Sequence, residues 1–329
     1  MGVPARRVWR DPLALALAAT GCLVLLPVAA ACSLAFPFVP GRCRAFLRLP
    51  VAAFAWLATY ECGGLVGAFA LWARRAAPPA FHRLHRRLFT SWFALVFRLS
   101  RERPHVTGEG RPAGERPVLV LSQHVGAFNG PFVAGLLSDA LDLAVVPIVK
   151  SALAYDPALD VLLRRIGTPF IAPDRAGRVR ALHDITRLCA RAPAVLLFPE
   201  GTSFTEGRRC RGVAALRHAG REEFAGLAEE LRHSLVPQLG GVQVALREAA
   251  PDVVFLAHSG IAPVLSTEAR AGGDGAVRAR YWVVPADEVP RGRDAQARWL
   301  FEWWSRMDDW SAGAGRDRRE ELAGDRGKG

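Results

Sequence analysis

The sequence predicts an α/β fold: a mostly parallel central sheet flanked by helices, with an N-terminal membrane-associated helical region in front of it. Two observations carry this. From residue 117 onward short apolar runs alternate with helical patterns, the order expected of βαβ units. Before that, residues 13–36 read LALALAATGCLVLLPVAAACSLAF, with no charge in 24 residues.

The chain has 329 residues and 51% hydrophobic composition, enough for one large α/β domain with an appendage. The net charge is +12, and only Lys150 and Lys328 are lysines, so arginine supplies nearly all of it. That excess favours an anionic partner, nucleic acid or an anionic membrane surface. Six scattered cysteines without a C-x-x-C pair argue against a disulfide framework or a zinc site.

Taken in order, residues 1–76 form the apolar helical membrane region. The run at 13–36 is long enough to span a bilayer, and Arg6, Arg7 and Arg10 precede it as on a cytoplasmic flank. It exceeds the usual core of a signal peptide. A second apolar stretch, 49–72, carries Glu61 near its middle, so it spans as the second arm of a hairpin, dips partway, or lies against the domain. Residues 77–116 hold a basic amphipathic helix and a linker. Phe81, Leu84, Leu88, Trp92, Leu95 and Leu99 recur at helical spacing, with Arg83, Arg87 and Arg98 opposite. Such a helix lies in a lipid interface or covers a core.

The domain proper is 117–310. Strands are expected at 117–122, 144–149, 169–172, 194–199, 253–258 and 278–284, and helices at 157–166, 178–191 and 213–233. A last helix presents Leu300, Trp303, Met307 and Trp310 as an apolar stripe. Residues 311–329 turn to Gly, Arg, Asp and Glu, the composition of a disordered tail.

Several chemistries are absent. No G-x-S-x-G, H-E-x-x-H, P-loop or G-x-G-x-x-G occurs, nor a Cys/His cluster with metal spacing, so no metal site is expected. Diffuse arginines without a recognisable module do not support nucleic-acid binding. What remains is SQHVGAFNGPF, which places His124 after the first domain strand and Asn129 five residues on, and LLFPEGTSFTEG, 76 residues later. In α/β sheets ligands gather at the carboxyl ends of strands, which puts His124 and Glu200 at one edge. Glu200-Gly201-Thr202 would expose a carboxylate, a close backbone approach and a hydroxyl there. TPFIAPDRAGR is read as a strand leading to Arg175 at the same edge.

These motifs resemble those of the 1-acyl-glycerol-3-phosphate acyltransferase family, whose first motif is His, four residues, Asp, and whose later motif is Phe-Pro-Glu-Gly-Thr. The segment VVPIVKSALAYDPALDVLLRRIGTPFIAPDR is similar to the stretch between those motifs. HSLVPQLGGVQVAL and WLFEWWSRMDD are similar to the closing part of one branch, so the likeness runs over about 117–310. The resemblance implies a membrane enzyme, with its catalytic domain on the cytoplasmic face of the cell membrane. It would transfer an acyl chain from acyl-CoA or acyl-carrier protein to a lysophospholipid hydroxyl, the thioester being a co-substrate and no cofactor being needed. It implies His124 as general base, Asn129 where the usual partner is Asp, and Arg175, Glu200, Gly201 and Thr202 as the residues that hold the glycerol phosphate, Glu200 by orienting. The expected partners are membrane lipid and the thioester donor, with no nucleic acid; oligomeric state is not legible.

Asn129 is the main departure, since an amide can orient the ring but not balance an imidazolium; on the resemblance, Asn129→Asp preserves or raises activity. Ser203, Gln238 and Gln123 also replace polar or cationic residues common in the family. An acceptor other than a glycerol phosphate, such as a glycolipid or natural product, and a catalytically inactive lipid-binding relative are the alternatives.

Overall fold

The computed structural model describes residues 3–114, 116–124, 129–172, 174–189, 191–260 and 277–313. In chain order the elements are α1 (Val3–Ala35), α2 (Gly41–Trp56), α3 (Gly63–Ala73), α4 (Pro78–Leu99), β1 (His105–Glu109), β2 (Val118–Ser122), α5 (Asn129–Ala140), β3 (Val145–Pro147) and β4 (Val149–Lys150). There follow α6 (Pro157–Arg165), β5 (Phe170–Ile171), α7 (Arg175–Cys189), β6 (Ala194–Leu197), α8 (Glu206–His218), α9 (Glu222–Glu230), α10 (Leu239–Ala249), β7 (Asp252–Ser259), β8 (Arg278–Val284) and α11 (Arg293–Gly313). The fold is α/β, with strands that pair mostly in parallel. The chain forms two compact units, one of residues 1–39, 46–103 and 130–196, the other of 40–45, 104–129 and 197–329.

In the first unit two helical stretches, Trp9–Phe38 and Phe46–Ala73, are long and apolar enough to cross a membrane, with mean hydropathies of 2.3 and 1.3. They differ in what surrounds them. Leu13, Leu17, Leu23, Val24 and Leu34 of α1 all stand exposed, whereas the second stretch lies against α4. Trp92 donates its indole N–H to the Ala52 carbonyl at 3.1 Å, and the Tyr60 and Phe89 rings meet at 5.1 Å. Between α2 and α3 the chain passes through a π-helical turn, Leu57–Cys62, whose extra residue re-aims the side chains there. Glu61 is thereby turned inward, 7% exposed, accepting from Trp56 Nε1 at 3.1 Å. A carboxyl so placed meets protein partners instead of lipid, which removes the difficulty that residue posed.

The same packing decides the role of α4. Phe81, Leu88, Phe89, Trp92, Phe93, Val96 and Phe97 are all buried. An apolar face already covered by protein has none left for a lipid interface, so α4 is a core helix with a basic outer face. Gly135 of α5 sits where a Cβ would come within 2.6 Å of Phe93, so a glycine is what lets α5 approach. Val145 and Val146 of β3 pair in parallel with β6, register Val145↔Ala194, and are buried. The expected strand at 169–172 is reduced to two residues of β5, which pair with β4 in a separate two-stranded ladder. Asp160 of α6, 3% exposed, is bound by Arg10 at 3.0 Å and by Arg164 at 2.5 Å, tying the start of α1 to α6.

In the second unit β2 runs parallel to β7 (Val118↔Asp252), β7 antiparallel to β8 (Val253↔Val284), and β8 parallel to β1 (His105↔Arg278). Residues 252–258 are buried without exception, as a strand covered on both faces requires. One cover is α11: Trp303 stacks on Phe255 at 4.6 Å and 7°, while Leu300, Phe301, Trp304 and Met307 are buried. Trp304, rather than Trp303 or Trp310, is thus the innermost indole of that helix. The pattern at 213–233 is two helices, α8 and α9, because Gly220 takes φ +68° between them. They close on Phe301 through Val213, Ala225 and Ala228. Residues 311–313 continue α11; the rest of the expected tail lies outside the described residues.

Candidate active site

The site grows from one turn. Phe198, Pro199, Glu200 and Gly201 form a β-turn closed by Gly201 N–H to Phe198 C=O at 3.0 Å, with proline at its second position as such turns favour. Gly201 has φ +65°, and a Cβ on it would meet Gln238 Nε2 at 3.2 Å, so both the left-handed backbone and the close approach call for glycine. Gly201 is exposed and Thr202 half-buried. The turn runs into α8, whose first N–H groups are capped by Thr205, its hydroxyl accepting from Arg208 N at 3.2 Å.

Glu200 points the other way. The sequence led us to expect an exposed carboxylate, but Glu200 is 3% exposed. Oε2 accepts from the His124 backbone N–H at 3.2 Å and Oε1 from Trp304 Nε1 at 3.3 Å, with the Leu235 backbone contributing as well. Burial pushes its pKa up to about 8 in spite of these donors. Glu200 therefore braces the turn from inside and does not meet a ligand.

His124 follows β2 and is half-buried. Its carbonyl accepts from Phe204 N at 3.2 Å, its Nδ1 lies 3.3 Å from Ser203 Oγ, and its ring meets Phe198 edge-on at 5.1 Å. Residues 198–204 thus hold this histidine at its backbone N–H, its carbonyl and its ring. Gln123, 2% exposed, anchors the strand end by donating to Ser234 Oγ at 2.5 Å and accepting from Ser311 Oγ at 3.1 Å. Asp308 takes the Arg232 and His233 N–H groups, both at 2.7 Å, and fixes the loop that leads to Ser234. His258 of β7 lies 2% exposed beside the Gln123 main chain and His124; burial drives its pKa down to about 4, which keeps it neutral.

Asn129 opens α5, 2% exposed, and donates Nδ2 to the Gln123 carbonyl at 2.7 Å. That bond explains the amide. An aspartate would set carboxylate oxygen against carbonyl oxygen inside the protein, with no donor between them. The substitution that the family pattern suggests is therefore not innocent here.

His124, Asn129, Glu200, Gly201 and Thr202 all stand in the second unit. Arg175 stands in the first, as the opening residue of α7. Reading by motif missed Ser203 as a neighbour of the imidazole, and Trp304 and Asp308 as supports. The only signal for the last two was a tryptophan- and aspartate-bearing helix that periodicity assigned to packing. Among the described residues no cluster of three or more His, Cys, Asp or Glu side chains is placed to hold a metal ion.

Comparison with known proteins bears on this geometry. Residues 103–240 match the family model described as Acyltransferase, a span that contains both the histidine segment and the Phe-Pro-Glu-Gly-Thr turn. No curated protein matches the chain. Among solved structures the chain is similar to the 1-acyl-sn-glycerophosphate (LPA) acyltransferase PlsC from Thermotoga maritima. The two are 16% identical, the match covers 85% of this chain and 94% of that one, and the TM-score is 0.49.

Proposed function

Because this chain is an acyltransferase of the glycerolipid family, we propose that it acylates the hydroxyl of a lysophospholipid such as 1-acyl-glycerol-3-phosphate, with acyl-CoA or acyl-carrier protein as donor and His124 as general base. The observation that carries this reading is the half-buried imidazole of His124, held at three points by residues 198–204. An alcohol is a poor nucleophile at neutral pH. His124 takes its proton as the oxygen attacks the thioester carbonyl, the C–S bond breaks as the C–O bond forms, and the proton passes to the departing thiolate. No covalent enzyme intermediate is required and no cofactor takes part.

Gly201 and Thr202 form the outer surface of the turn, where backbone and hydroxyl suit an anionic head group. Glu200 supports them from inside, and Arg175 takes the same phosphate-holding role on the strength of the resemblance. Fixing that anion would set the hydroxyl against His124, an orientation effect. Asn129 holds the histidine segment through the Gln123 carbonyl.

Membrane attachment at the cytoplasmic face of the cell membrane follows from α1. Its exposed leucines and valines form an apolar wall larger than a water-facing surface tolerates, and Arg10 marks the aqueous end of that wall by pairing with Asp160. One observation favours a second acceptor class. Neither Ser203 nor Gln238 supplies the guanidinium common in the family, and Ser203 spends its hydroxyl on His124. A lysolipid with a neutral sugar head group is the alternative.

The test is transfer of a labelled acyl chain, from CoA and from carrier protein, by purified full-length protein to lysophosphatidic acid, other lysophospholipids and lysoglycolipids. Transfer to lysophosphatidic acid supports the first acceptor class, transfer confined to glycolipids the second. Transfer to none overturns both.

A further inference from the structure

We propose that Ser203 is the positioning residue of His124: its hydroxyl accepts the Nδ1–H and so leaves Nε2 as the bare, proton-accepting nitrogen. This rests on His124 being the base.

The argument begins with what the other contacts leave undetermined. Glu200 Oε2 and the Phe204 N–H hold the backbone of His124, at 3.2 Å each, and neither touches the imidazole. Phe198 meets the ring edge-on at 5.1 Å and restricts its tilt, but an aromatic ring cannot choose between two nitrogens. Ser203 Oγ, 3.3 Å from Nδ1, can. A neutral imidazole carries one proton on two nitrogens, and the partner of one decides the role of the other. A hydroxyl oxygen that accepts at Nδ1 places the proton there. A bond at this length in an enzyme without substrate tightens when the reacting groups arrive.

Ser203 is itself fixed. Its carbonyl accepts from Arg208 NH1 at 2.9 Å, and Thr205, two residues on, caps α8. Oγ therefore moves about a single side-chain torsion on an anchored backbone. The short side chain is also required: a bulkier or cationic residue at 203 would displace the ring or put a like charge beside a forming imidazolium. What distinguishes residue 203 here thus supplies at Nδ1 part of what a carboxylate supplies elsewhere. It orients the ring without neutralising its charge.

Two measurements on the full-length protein test this. In kinetics, Ser203→Ala should lower kcat about 10- to 100-fold, the scale of an impaired general base, with KM for donor and acceptor within about twofold; Ser203→Thr, which keeps the hydroxyl, should recover most of the loss. In nitrogen NMR of histidine-labelled protein, with His124 assigned through His124→Gln, Ser203→Ala should shift the His124 tautomer away from Nδ1–H. An unchanged tautomer in Ser203→Ala overturns the proposal whatever the activity. An acyl ester found on Ser203 in quenched reactions also overturns it, because the residue would then be a nucleophile. Were no acceptor ever acylated while the tautomer still shifted, the positioning role would stand and the acyl-transfer reading would fall.

Discussion

Each unit buries a glutamate under an indole: Glu61 accepts from Trp56 in the first, Glu200 from Trp304 in the second. Each unit also holds a histidine close by. His85, 3% exposed, bonds through Nδ1 to the Tyr60 hydroxyl at 3.0 Å, and burial drives its pKa to about 3. His124 is half-buried, and the N–H that Glu200 receives is its own. Composition alone would rank the two clusters alike. Connectivity and access separate them: the first seals its polar groups among aromatic rings, while the second spends its buried carboxyl on the backbone of a residue that solvent reaches.

The sharpest way to break this comparison is to delete the two histidines. His124→Ala should lower kcat/KM by about 10²–10⁴-fold, the usual contribution of a general base, and leave the unfolding midpoint in place. His85→Ala should do the reverse, leaving kcat intact while stranding the Tyr60 hydroxyl at a cost of about 1–3 kcal/mol. Activity surviving His124→Ala would show that the second cluster is as structural as the first.

Asn129→Asp is expected to weaken folding by about 1–3 kcal/mol at neutral pH, because a buried donor to the Gln123 carbonyl becomes an acceptor. Denaturant titration measures this. A stable, more active Asp variant would mean that the motif outweighs the bond seen here.

Stability against pH gives a smaller signal with a definite sign. Glu200 titrates near 8 in the folded protein and near 4.5 unfolded, so between those values the folded state keeps a proton that the unfolded state loses. Its contribution therefore falls as pH rises through that window. His258 and His85, at about 4 and about 3 folded, act in the opposite direction only up to about pH 6.5, above which they are neutral in both states. The falling slope should stand out from about pH 6.5 to 8 and be shallower in Glu200→Gln. Smallest of all, Trp56→Phe and Trp304→Phe each remove one indole donor, for about 1 kcal/mol. Only the second should also lower kcat, since only Glu200 bears on His124.

How far the sequence could be read depended on burial. β2, β7 and β8 were legible because their residues are apolar in unbroken or alternating runs. β1 was not: HVTGE is largely exposed, and its Gly108 is present because the Tyr281 ring occupies the space of a Cβ. α5 opens with Asn-Gly-Pro, which reads as a turn, and α8 and α9 merged into one pattern for want of weight given to Gly220. In the site, residue types declared His124 and the turn at 199–202. They could not declare that Glu200 points inward, that Asn129 donates to a carbonyl, or that Ser203 faces the imidazole. Those are properties of side-chain direction, fixed by tertiary contacts that no local pattern encodes.

The contacts from α11 have a kinetic meaning. Trp304, Asp308 and Ser311 lie three and four residues apart on one helix face and reach Glu200, the 232–233 backbone and Gln123. The bond between Ser311 and Gln123 closes a loop of 188 residues. Contacts of such long range form only after the entropy of closing that loop has been met. The histidine turn is therefore the part of the protein assembled last, and a chain can have its strands paired and its apolar helices packed while it is still without a working site.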